Sequence, residues 1–94
     1  MIEFKDTIEL MQSEDYKERF KAEYHQTKLR YERLKALNTK IEAANTAKYA
    51  MSPVMLQEPK HDCPETLLRE QQNIMGQYLH ILEVRAEIEG IELK

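Results

Sequence analysis

Ninety-four residues carry one cysteine, two glycines, three prolines and no tryptophan. A single thiol cannot close an internal disulfide, so a reducing compartment is the natural setting, with a bridge between two chains through Cys63 left open. No glycine-rich phosphate loop is present. No apolar run approaches the ~20 residues that cross a bilayer, which excludes a membrane-spanning helix. The opening MIEFKDTIEL has neither a basic n-region nor a continuous apolar core, so no secretion signal is expected and cytoplasmic residence follows. Metal-ligand spacings are missing as well: His25, His61, His80 and Cys63 form no Cys-x-x-Cys or His-Glu-x-x-His pattern, and Glu-x-x-His is absent from the two long helical segments. The same residues are too dispersed for a nucleophile and its base. Neither a metal, a cofactor nor catalysis is expected.

What remains is a helical composition. The charged fraction of 33%, with abundant Glu, Lys, Leu and Ala, suits solvent-laced helices and gives no support to a sheet. The fold class predicted is all-α: a short N-terminal helix over about 2–11, a long helix over about 14–46, an irregular linker over about 47–63 and a second long helix over about 64–89, in one domain of residues 1–94. In the first long segment Phe20, Tyr24, Thr27, Tyr31, Leu34 and Ile41 recur at spacings of three, four and seven, the mark of one buried stripe. Ser13 is the expected N-cap, with Glu14 and Asp15 in the first turn. The short helix places Phe4, Ile8 and Met11 on one face and must dock on a partner to hold. Pro53, Pro59 and Pro64 break the linker, whose Met51, Val54, Met55 and Leu56 are expected to fold back on the helices. Pro64 suits the first position of the second long helix, with Asp62 or Cys63 as cap, and Gly90 suits its end.

That second helix carries two stripes. Leu68, Met75, Leu79, Leu82 and Ala86 form one, and Leu67, Ile74, Tyr78, Ile81 and Ile88 form another beside it. One stripe should face the first long helix and leave the other for a neighbour; in a chain where a single core is marginal, a homo-oligomer is expected. Matching the stripes of an antiparallel hairpin sets Ile41 near Leu67, Leu34 near Ile74 and Phe20 near Ile88. Arg85 then interrupts an apolar stripe, so it should pair with Glu23 across the hairpin or with Glu89 one turn on. Ala22, Leu29 and Ala36 make a weaker seam on the back of the first long helix, open to another subunit.

Charge is unevenly placed. Between Tyr16 and Lys40 stand Lys17, Arg19, Lys21, Lys28, Arg30, Arg33, Lys35 and Lys40 against Glu18, Glu23 and Glu32, a net +5, so the rest of a chain of net charge −3 carries −8. An acidic overall field opposes duplex nucleic acid. A basic helix with interleaved tyrosines instead suits a small nucleotide, because rings stack on bases and cations pair with phosphates. Tyr16 and Tyr24 are the candidates for stacking, and Lys17, Arg19, Lys28 and Arg30 for phosphate. The plainer reading is that Tyr24 and Tyr31 pack the core with their hydroxyls at its rim.

The runs SEDYKERFKAEYHQTKLRYERL from Ser13, CPETLL from Cys63 and YLHILEVRAEIEGI from Tyr78 together resemble a family of small phage and prophage proteins related to a crAss-like phage protein. That family's motifs carry no catalytic role, and this chain departs from it at Ala50-Met-Ser-Pro. A short helix followed by a long hairpin is also similar in architecture to the phage anti-CBASS sponges, which assemble into hexamers and sequester cyclic nucleotide alarm signals. The two resemblances imply a phage protein in the host bacterial cytoplasm that holds a nucleotide signal as an oligomer. The competing readings are a helical module that inhibits a host immune protein, and a structural phage component.

Overall fold

The computed structural model describes residues 3–51, 53 and 56–93, with only the backbone of Phe4. Three helices account for its regular structure: α1 (Phe4–Met11), α2 (Tyr16–Tyr49) and α3 (Glu65–Glu89), with no strand among the described residues. At 1.5 Å per residue, α2 is about 51 Å long, nearly the whole of a molecule measuring 54 × 25 × 22 Å. Both α1 and α3 pack on α2, α3 antiparallel to it.

The caps show how the breaks are made. Glu3 and Asp6 form a reciprocal capping box at the start of α1. α2 is capped by Asp15, whose carboxylate accepts from the Lys17 amide at 2.9 Å, two residues after the expected Ser13. Ser13 is used instead inside the turn, where its hydroxyl accepts from the Asp15 amide. The difference follows from competition: the serine bond closes a turn before the cap and leaves the carboxylate to meet the helix dipole. Pro64 is itself the N-cap of α3, so Asp62 and Cys63 lie outside the helix. Gly90 ends α3 at φ 69, where a β-carbon would be strained.

Two separate packings hold α2. On one face Phe20 and Tyr24 bury against Leu79, Leu82, Ala86 and Ile91, with Tyr31 and Leu93 at the margin. On the back, α1 brings a fully buried Thr7 to Gln26, whose amide donates to the Thr7 hydroxyl at 3.0 Å and also meets the Met11 sulfur. Ala22, one turn earlier, is fully buried, so the seam expected to receive another subunit starts beneath this chain's own first helix, while Ala36 is exposed. Thr7 rather than Ile8 is the inward residue of α1; Ile8 and Met11 are about half exposed.

The antiparallel register comes close to the expected one, as Tyr24 meets Glu83, Asn38 meets Gln72 and Asn45 meets Glu65. The stripe that uses it differs. Leu79, Leu82 and Ala86 face α2, whereas Leu67, Ile74 and Ile88 point away and cannot pair with Ile41, Leu34 and Phe20. The reason is steric: Ala86 and Gly76 let the helices approach, and a β-carbon at Gly76 would stand 3.3 Å from the Tyr31 ring. In the linker, Met51 and Leu56 are exposed and do not fold back on the hairpin; Val54 and Met55 lie outside the described residues.

Candidate functional site

At the open end of the hairpin, Tyr16 donates to Glu89 at 2.7 Å and accepts from Arg85 at 2.7 Å, while Arg85 pairs with Glu89 at 3.1 Å and lies over the Phe20 ring. Glu89 is thus the partner Arg85 takes. Glu23 accepts instead from Tyr78 at 3.1 Å and from Thr27. The Tyr16 hydroxyl bond holds the Glu89 carboxyl below its ordinary range, with Arg85 adding to the effect. The same bond, by favouring the neutral phenol, raises Tyr16. This constellation ties the helix ends together and leaves half of the Tyr16 surface in solvent.

Tyr24 is 5% exposed, its ring enclosed by the core and by His25 at 5.2 Å edge to face. It cannot stack on a base without leaving the fold. Burial and its 2.6 Å bond to Glu83 push its phenol up to about 12. An unfolded tyrosine ionises near 10, so this group's contribution is complete below pH 10 and is lost as pH rises through about 12. Tyr24→Phe should therefore cost about 1 to 2 kcal/mol at pH 7 and flatten the fall in thermal stability above pH 10, measured by circular dichroism against pH.

The basic residues divide by flank. Lys17, Lys28 and Lys35 follow one edge of α2, with Lys28 above the Tyr24 ring at 5.8 Å. Arg19 and Arg30 follow the other, where Arg19 donates to the Ser13 carbonyl at 3.0 Å and Arg30 reaches Thr27. Tyr16, Lys17, Arg19, Tyr24, Lys28 and Arg30 are therefore not brought together into one pocket within a single chain.

A shallow, open groove of mixed polarity runs along the lysine flank, between α2 and α3. Its widest part, about 730 Å³, is lined by Tyr31, Gln72, Asn73, Gly76, Gln77, His80 and Ile81. Next to it lie Lys35, Asn38, Thr39 and Glu42 opposite Arg69, in a further 270 Å³. The Tyr31 ring packs over Gly76 and is half-buried at the groove wall. Asn38, 5% exposed, donates both amide hydrogens, to the Leu68 carbonyl at 3.1 Å and to Gln72 at 2.9 Å. The fixed Leu68 carbonyl sets that orientation, and the Asn38 Oδ1 is left buried without a donor. Arg69 is held by Glu65 at 2.5 Å.

Sequence reasoning placed Tyr31 in the core and passed over Lys35, Asn38, Arg69, Gln72 and Asn73 as site residues. A signal was present: Asn38 occupies a position of the inward stripe of α2 where an apolar residue belongs. Among the described residues no group of three or more His, Cys, Asp or Glu side chains is arranged to hold a metal ion, and no helix is long and apolar enough to cross a membrane.

Comparison with protein families gives a match to the Sequestin model over residues 14–88, about four fifths of the chain. The chain belongs to the Sequestin family. The matched region includes all of α2 and nearly all of α3, and with them the whole groove. No curated protein and no solved structure matches it.

Proposed function

We propose that this chain is a phage anti-defence protein that binds a cyclic nucleotide, or a related nucleotide immune signal, and holds it without cleaving it. Membership of a family named for sequestration is the observation that carries the reading. The groove supplies the means. Lys35 and Arg69, with Lys28 further along the flank, suit phosphates; the Tyr31 ring suits a base face; Asn38, Gln72, Asn73 and Gln77 suit base and ribose edges. Holding such a ligand needs no group that breaks a bond. Tyr16, Lys17, Arg19 and Arg30 contribute only if copies meet at the open end of the hairpin.

Native mass spectrometry of the purified protein with a panel of cyclic di- and trinucleotides and ADP-ribose-derived signals tests this. Retention of one panel member, unchanged in mass on release, is the expected result. Lys35→Glu with Arg69→Glu should then weaken binding by about a hundredfold while leaving the melting temperature nearly unmoved, since both side chains are exposed. No adduct across the panel would favour the second reading, a helical module that inhibits a host immune effector, which the outward apolar stripe of α3 supports.

A further inference from the structure

On α3, Leu67, Ile74, Ile81 and Ile88 follow one another at intervals of seven, and all four are half or more exposed. Tyr78 lies in the same band. Four large apolar side chains in strict heptad spacing form a straight seam of about 32 Å, which scattered surface residues do not. We infer that this seam joins two copies of the chain, α3 against α3 in antiparallel orientation about a two-fold axis between Gln77 and Tyr78.

The stripe is self-complementary in an antiparallel pair and in a parallel pair in register, and charge separates the two. With the axis at its midpoint, Leu67 meets the other copy's Ile88 and Ile74 meets its Ile81, so all four aliphatic residues are paired, while Tyr78 meets the other copy's Gln77. The same register carries Glu70 to the level of Arg85 of the second copy at each end, where it adds to the Glu89 carboxylate already beside that guanidinium. A parallel pair in register would set Glu70 against Glu70 and Arg85 against Arg85 instead. Apolar overlap thus fixes the register of either pairing, and charge selects the antiparallel one. Ile81 and Gln77 also line the groove, so the second α3 would stand at its open edge and narrow the site. That last step rests on the sequestration reading above; the seam does not.

The test uses single cysteines in a Cys63→Ser background. Ile74→Cys and Ile81→Cys should each resist disulfide formation alone, because two copies of either site lie about 10 Å apart along the seam, and should cross-link into a covalent dimer when mixed and oxidised. Sedimentation should give a dimer for the native chain, a monomer with unchanged helicity for Ile81→Glu, and about tenfold weaker association for Glu70→Arg. A monomeric native chain overturns the seam, including the case in which a different protein occupies the stripe. Cross-linking of either single variant alone, or a dimer whose mixed variants do not cross-link, overturns the antiparallel register. Ligand retained by a monomer in the native spectra removes the seam and leaves sequestration standing; a dimer that retains none does the reverse.

Discussion

Leu82→Ala should lower the unfolding free energy by about 3 kcal/mol, whereas Ile88→Ala, six residues on in the same helix, should change it by no more than about 0.5 kcal/mol. Leu82 is 2% exposed and Ile88 is 80% exposed. Truncating Leu82 removes its transfer free energy and leaves a cavity beside Phe20, Tyr24 and Leu79, the cluster that joins α3 to α2. A domain of this size has roughly 5 to 14 kcal/mol in all, so the loss is a large share of the total. At about 4 to 8 °C per kcal/mol, the melting temperature should fall by roughly 10 to 25 °C. Denaturant melts at concentrations low enough to keep copies apart give the comparison. Equal effects at the two positions would mean that the stripes have exchanged roles and that the outer band, not the Leu79–Leu82–Ala86 band, packs on α2.

The contrast also marks what could be read beforehand. Helical spacing alone identifies both long helices, because Phe20, Tyr24 and Tyr31 on α2 can share a face only at a helical period. The αL end at Gly90 is legible for the same local reason. Which of two equally apolar stripes on α3 turns inward is not a local property. It depends on how near the backbones come, and the clue lay in the small residues Gly76 and Ala86 rather than in the large ones. Tyr24 and Tyr31 show the same limit within the site. Identical in type and both on the inward stripe, they differ because Tyr24 stands opposite Glu83 and the core, while Tyr31 packs over Gly76 at the wall of the groove. Family membership is carried by the two long helices together, and the ligand by neither pattern nor composition.

Asn38→Asp should be the most damaging isosteric change in the groove, at about 3 kcal/mol near neutral pH, against about 1 kcal/mol for Asn38→Leu. Asparagine here gives both hydrogens away, to the Leu68 carbonyl and the Gln72 carbonyl oxygen. An aspartate would face two acceptors with none to give, as a charge 5% exposed. Leucine loses the same two bonds but also removes the orphaned Oδ1, and the Leu68 carbonyl keeps its place in the α3 ladder. Lys35 and Arg69 line the groove nearby and offset part of the aspartate's cost without replacing the donors. The sign with pH separates the two variants. Burial beside acceptors raises the new carboxyl's pKa in the folded state above its unfolded value near 4, so the protonated acid donates again. Asn38→Asp should thus regain stability relative to the native chain as pH falls through the raised folded value to below 4, and Asn38→Leu should not. Melting temperatures of the three proteins from pH 3.5 to 7.5 decide it. A difference between Asn38→Asp and the native chain that stays constant across that range would place the side chain in water rather than in the interface between α2 and α3.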